Sequence, residues 1–170
     1  MLEKFKKIKL LLLDVDGVLT DGSIIYDDMG SQIKIFNAKD GLGIRLVMLA
    51  GVQVGIATGR RSQALVHRCE NLGISLIFEG LISKIDVLNA IFQRTGIPPD
   101  EIAFVGDDLV DLPLMKHVGV SIAVSDAHEI VISHADMVTK ASGGKGAVRE
   151  ICETILKATG QWDHVIERFM

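Results

Sequence analysis

Cysteine, proline and aromatic residues are scarce in this 170-residue chain, and positive charge is not in excess. The two cysteines, Cys69 and Cys152, stand far apart with no C-x-x-C pair, which excludes a disulfide framework or thiolate zinc site and suits reduced core thiols. Of three prolines, Pro98 and Pro99 are adjacent, and no Pro-, Ser- or Gly-rich tract offers a linker, so the chain reads as one domain over 1–170. One Trp and one Tyr give no base-stacking platform, and 18 Lys and Arg against 22 Asp and Glu, a net charge of -4, give no broad phosphate-binding surface. Nucleic acid is therefore not an expected partner. The strongest apolar run, Leu10–Leu13, is far short of the ~20 residues of a membrane span. Asp14 and Asp16 also interrupt any signal-peptide core, so the expectation is a cytoplasmic protein without membrane contact.

What the chain does have is apolar content, 48% of residues with a mean hydropathy of +0.35, enough to bury a full core. Short β-rich runs at Ile8–Leu13, Val52–Ala57, Leu76–Phe78, Ile102–Val105, Val120–Val124 and Met137–Val138 read as strands. They alternate with predicted helices at Leu42–Ala50, Gln63–Leu72, Lys84–Thr95 and Leu109–Lys116. A last helix carries Val148, Ile151, Cys152, Ile155 and Leu156 on one face and ends near Gly160. The alternation predicts a three-layer α/β fold with an open, mostly parallel, Rossmann-like sheet. One β-hairpin interrupts it, Ser23–Tyr26 and Ile33–Phe36 about the turn Asp27–Gly30, within an insertion spanning 23–36. A sheet of this kind takes about 130 to 140 residues, which leaves no room for a separate lid domain.

The chemistry gathers where strands end. The first strand runs into Asp14-Val15-Asp16-Gly17, a spacing that lets both carboxylates point the same way at the edge where ligands of open α/β sheets sit. Two acids there repel one another, and Mg²⁺, which prefers oxygen ligands, is the natural compensation. Gly106-Asp107-Asp108, with Asp111 close behind, follows another strand; Thr58-Gly59-Arg60 follows a third, and Lys84 opens a helix after a fourth. A hydroxyl, a backbone amide and an ammonium at neighbouring strand ends are what phosphoryl oxygens require.

In this order the D-x-D-G, T-G, Lys and G-D-D-x-x-D motifs resemble those of the haloacid-dehalogenase-type phosphatases. The resemblance implies that Asp14 is a nucleophile forming an aspartyl-phosphate, and that Asp16 is the general acid and base. It places Mg²⁺ on Asp14, the Asp16 carbonyl and Asp107, with Thr58 and Lys84 on the phosphoryl oxygens; Asp108 and Asp111 then support the metal and the lysine. Response-regulator receiver domains also combine an acidic cluster, a Thr and a Lys, but they carry the accepting aspartate on the third strand. Here that strand ends in Phe78-Glu79-Gly80.

Further segments, Lys34–Gly41, His67–Cys69 and Gly143–Glu150, are similar to those of the 3-deoxy-D-manno-octulosonate 8-phosphate phosphatases, a branch without a cap domain. The implied substrate is a sugar phosphate with a 2-keto carboxylate, hydrolysed in the lipopolysaccharide synthesis of Gram-negative bacteria. Arg45, Arg60 and Arg68 are then candidates for the carboxylate, and Asn37, Ala38, Lys39, Asp40 and Gly41 for the sugar. Lys39 and Lys145 stand where many relatives have Arg, and phosphatases of nine-carbon keto-deoxy sugar acids are the nearest alternative. The resemblance also implies a homotetramer joined through the 23–36 hairpin, and a C-terminal flap, 143–170, bringing Gly144 and Lys145 toward a neighbouring site.

Overall fold

The computed structural model describes residues 2–170. Six parallel strands form one sheet: β1 (Leu10–Leu13), β4 (Gln53–Ala57), β5 (Leu76–Phe78), β6 (Ile102–Gly106), β7 (Val120–Ala123) and β8 (Met137–Val138), in the order β5-β4-β1-β6-β7-β8. The hairpin strands β2 (Ile25–Tyr26) and β3 (Gln32–Ile33) pair antiparallel as a separate two-stranded sheet. The helices are α1 (Leu2–Phe5), α2 (Ala38–Leu49), α3 (Gln63–Leu72), α4 (Val87–Thr95), α5 (Leu112–Met115), α6 (Glu129–His134), α7 (Ala147–Ala158) and α8 (Trp162–Ile166).

Why β1 occupies the centre follows from its four leucines. Side chains alternate across a strand, and here Leu11 and Leu13 enter one core with Ile44 and Val47 of α2, Leu65 of α3 and Ile151 of α7. Leu10 and Leu12 enter the opposite core with Phe104, Ile91 of α4, Met115 of α5 and Val131 of α6. With no polar face to offer, this strand is stable only between two helical layers. Its register pairs Leu13 with Ile56 on one side and with Val105 on the other. The chain builds outward to β5 and then returns to β6 across β1, so the connections after β1 and β6 diverge. The crevice they open lies at the carboxyl ends of the strands.

Local differences from the sequence expectation have simple causes. Helix α2 begins four residues early because the Asn37 side chain accepts hydrogen bonds from the Lys39 and Asp40 amides. Gly41 and Gly43 had hidden that start, since glycine is a poor helix former. The segments predicted from Lys84 and Leu109 open as 3₁₀ turns, 84–86 and 109–111, before becoming α-helical. The hairpin strands are two residues each, because Asp27 draws the Met29 and Ser31 amides into a wider turn. Helices α1, α6 and α8 were not anticipated. Helix α8 matters for function, since it packs back on α7 with Val165 buried, and the C-terminal segment forms no cover over this chain's own crevice.

Candidate active site

Asp14 follows β1 directly, and its amide extends the ladder by donating to the Val105 carbonyl at 3.1 Å. The chain then winds tightly: the Val15 carbonyl accepts from the amides of Val18, Leu19 and Thr20. Gly17 turns this loop with φ +89°, and a Cβ there would stand 2.0 Å from Asp107 Oδ2, so only glycine lets the two acidic loops meet. Gly143 braces the turn from behind. Its own Cβ would lie 1.6 Å from the Gly17 carbonyl oxygen, its amide donates to Asp126, and the Gly144 amide donates to Val18. Gly143 and Gly144 are thus packed under the acidic loop of their own chain, and the exposed Lys145, expected near a neighbouring site, is not among the residues lining this chain's own crevice.

The loop after β6 is organised by Asp111, which is fully buried. One oxygen accepts from the Asp107 and Asp108 amides, at 2.9 and 3.2 Å, and the other holds the Lys84 ammonium. Lys84, 6% exposed, also meets Asp14 at 2.8 Å, so a single ammonium ties the first strand's acid to the fourth motif. The exposed Asp108 has a local task, accepting from the Leu109 amide at 2.7 Å.

Among the described residues, Asp14, Asp107 and Asp111 bring carboxylate oxygens within 4.8 Å of one another. Burial pushes the Asp14 carboxyl up to about 6, and Asp111 adds to the rise against the opposing pull of Lys84. Asp107 is pushed up to about 8, by burial first and then by Asp14 and Asp111. Burial opposes the Lys84 ammonium, but the two carboxylates beside it outweigh that and hold it above its ordinary value. Three acids facing one lysine fit a hard divalent cation such as Mg²⁺, with Asp14 and Asp107 as its carboxylate ligands. The side chain of Asp16 is not in this cluster, so its share would fall to the backbone carbonyl.

A pH dependence follows. Both carboxyls titrate above their reference value of 3.8, so the folded metal-free chain keeps protons that the unfolded chain has lost. That contribution to stability is full below about pH 4 and is lost as pH rises through about 6 and then about 8. The thermal midpoint in chelator is expected to fall from pH 5 to pH 8. Mg²⁺ is expected to raise it more at pH 8 than at pH 5, because binding must displace those protons. Scanning fluorimetry with and without Mg²⁺ reads both, and a Mg²⁺ shift independent of pH would contradict the assignment.

On the other flank, Thr58 is buried at the end of β4, its amide donating to the Phe78 carbonyl at 2.9 Å. Asp14, Asp16, Thr58, Gly59, Arg60, Lys84, Asp107 and Asp108 all line one cleft of about 250 Å³, with Leu81, Ile82 and Val110 as apolar neighbours. Arg60 reaches Tyr26 Oη at 2.9 Å and lies 3.8 Å from Asp16. Two contributors had not been anticipated: Tyr26, and Lys34, which forms an ion pair with Asp16. The signal for Lys34 was a charge between two isoleucines in a short strand.

The other arginines are elsewhere. Arg45 and Arg68 line a separate recess of about 210 Å³ with Ala38, Gly41 and Leu42. Arg68 donates to the Asn37 carbonyl at 3.2 Å, with its guanidinium 5.7 Å from the Phe36 ring; Arg45 donates to the Asn71 carbonyl at 2.6 Å. Arg68 thus packs against Phe36 and α2, and the recess it lines with Arg45 does not include Arg60. Asp40 also departs from the expectation. It is buried and accepts from the Arg149 and Gly146 amides, capping α7 rather than facing a sugar. Asn37 is occupied as the cap of α2, and Lys39 is exposed beside it.

Comparison with known proteins agrees with this geometry. Residues 74–151 match the haloacid dehalogenase-like hydrolase family model. The chain is 44% identical to the 3-deoxy-D-manno-octulosonate 8-phosphate phosphatase KdsC of Escherichia coli (strain K12), over 96% of this chain and 87% of that protein. The Moraxella catarrhalis 3-deoxy-D-manno-octulosonate 8-phosphate phosphatase, solved with a magnesium ion, a phosphate ion and a KDO molecule, superposes with a TM-score of 0.96 at 40% identity, covering 99% of this chain and 97% of that one. The cobalt-bound Haemophilus influenzae deoxy-D-mannose-octulosonate 8-phosphate phosphatase gives 0.90 at 43%, covering 94% and 93%. Shared over nearly its whole length, these likenesses make the chain a member of the 3-deoxy-D-manno-octulosonate 8-phosphate phosphatase family of haloacid dehalogenase-like hydrolases.

Proposed function

We propose that this chain is a Mg²⁺-dependent phosphoric monoester hydrolase that converts 3-deoxy-D-manno-octulosonate 8-phosphate to 3-deoxy-D-manno-octulosonate and phosphate, serving lipopolysaccharide synthesis in the cytoplasm. The observation that carries the mechanism is Asp14, buried at the end of the central strand with Lys84 2.8 Å from its carboxylate and Asp107 sharing its cleft.

Asp14 attacks phosphorus, and the bond from phosphorus to the sugar C8 oxygen breaks. The departing alkoxide takes a proton from Asp16, leaving an aspartyl-phosphate on Asp14. Asp16, now a carboxylate, takes a proton from the water that attacks this phosphorus, and phosphate leaves as Asp14 is restored. Thr58, the Gly59 amide and Lys84 bind the phosphoryl oxygens, the Asp14 and Asp111 carboxylates favouring the Lys84 ammonium before reaction. Mg²⁺, held by Asp14, Asp107 and the Asp16 carbonyl, supplies charge compensation for those oxygens.

A panel of sugar phosphates with Mg²⁺ or chelator tests the substrate. The highest kcat/KM is expected on the eight-carbon ester, with turnover lost in chelator; a preference for a nine-carbon keto-deoxy sugar acid 9-phosphate would overturn the choice.

Two features support a homotetramer joined by the hairpin. The hairpin carries exposed apolar side chains, Met29 at 89% and Ile35 at 68%. The Arg45 and Arg68 recess, apart from its own chain's cleft, would serve the sugar carboxylate in a neighbour's. Ile35→Asp is expected to dissociate the assembly and lower kcat/KM on the sugar phosphate at least about tenfold. Sedimentation and kinetics read the two effects, and a fully active monomeric wild-type chain would reject shared sites.

A further inference from the structure

The hairpin has a polarity opposite to that of an ordinary surface strand. Along Ile33-Lys34-Ile35 the two isoleucines are exposed, at 48% and 68%, while the lysine side chain is 2% exposed. Lys34 follows β3 directly, and burying an ammonium between two exposed isoleucines is costly unless it meets a charge. Lys34 meets Asp16 Oδ1. The other oxygen, Oδ2, is buried without a hydrogen-bond partner, and Arg60 Nε stands 3.8 Å from it. Arg60 is in turn held by Tyr26 Oη, on the opposite strand of the hairpin, at 2.9 Å.

We propose that Lys34 is a positioning residue for the phosphatase reaction: it occupies Asp16 Oδ1, so that the exchanged proton resides on Oδ2 and is delivered from there to the leaving oxygen. The inference rests on Asp16 being the general acid. A carboxyl group free to rotate presents either oxygen; one clamped by the lysine next to a short strand presents one, and proton transfer depends on that alignment. Tyr26 extends the clamp by setting Arg60 beside the free oxygen. The hairpin thereby orients the acid of its own chain, whatever it contacts on other subunits.

The test compares esters that differ in their need for an acid. A sugar alkoxide leaves poorly without a proton, whereas p-nitrophenolate leaves readily. Lys34→Met is expected to lower kcat/KM, which reads only the steps through departure of the leaving group, about 10²-fold on the sugar phosphate and less than about threefold on p-nitrophenyl phosphate. Lys34→Arg should restore part of the loss, and Tyr26→Phe should show the same preference more weakly. Equal losses of kcat/KM on both esters, or none on either, would overturn the proposal, since a merely structural role does not distinguish leaving groups. Asp16→Asn is the reference. If it shows the selectivity and Lys34→Met does not, the clamp alone is wrong; if it shows none, the acid assignment falls and the clamp with it. Should Met fail to fold at position 34, Lys34→Gln removes the charge while staying polar and is expected to give the same selectivity.

Discussion

Asp14→Asn is expected to abolish turnover and leave a folded protein. An amide oxygen is too poor a nucleophile to form the aspartyl-phosphate, and losses of roughly 10⁶-fold accompany removal of a covalent nucleophile in other enzymes. The fold should tolerate the change. Burial already raises the Asp14 carboxyl to about 6, so its charge is held against an unfavourable environment, and an isosteric neutral group relieves that while Lys84 keeps Asp111. Assays on the sugar phosphate, with circular dichroism and a thermal midpoint on the same preparation, read both parts. Turnover within tenfold of the parent chain would remove Asp14 from the nucleophile's role.

Asp111→Ala is expected to cost far more stability than a loop substitution ordinarily does. The residue is fully buried and answers three donors, the Lys84 ammonium and the Asp107 and Asp108 amides. Without it, Lys84 keeps only Asp14, and two amides lose their acceptor. Breaking a buried ion pair by removing one partner costs about 3–5 kcal/mol. Asp108→Ala, by contrast, removes one capping bond at an exposed position and should cost about 1 kcal/mol. Urea unfolding separates the two. A cost for Asp111→Ala no greater than for Asp108→Ala would show that the loop is held by something else.

That Asp14, Thr58 and Asp107 share one cleft was legible in sequence because they sit directly after buried strands, where position along the chain nearly determines position in space. Lys84 was legible because it opens the element that follows β5, six residues past the strand's end. What failed was rotation about helices and the reach of long side chains. Arg68 lies two turns beyond Arg60 along the chain, yet its direction is set by Phe36 and by the glycine face of α2, which no local pattern records. Asp40 read as a polar group near a sugar, but the partners that absorb it, the amides of Gly146 and Arg149, are more than a hundred residues away. Lys34 resembles any solvated hairpin lysine until the exposure of its two neighbours is known. The short helices α6 and α8 carry too few apolar positions for a period to show.

Every side chain assigned a chemical step lies before residue 112, yet Gly143 and Gly144 wedge beneath the turn that presents Asp14 and Asp16. Asp14, Asp16 and Lys84 thus precede their support in the sequence by at least about sixty residues. The turn that spaces these carboxylates is therefore held from a segment more than a hundred residues downstream of it. Substitutions at Gly143 or Gly144, far from Asp14 and Asp16 in the sequence, therefore bear on how those two carboxylates are presented.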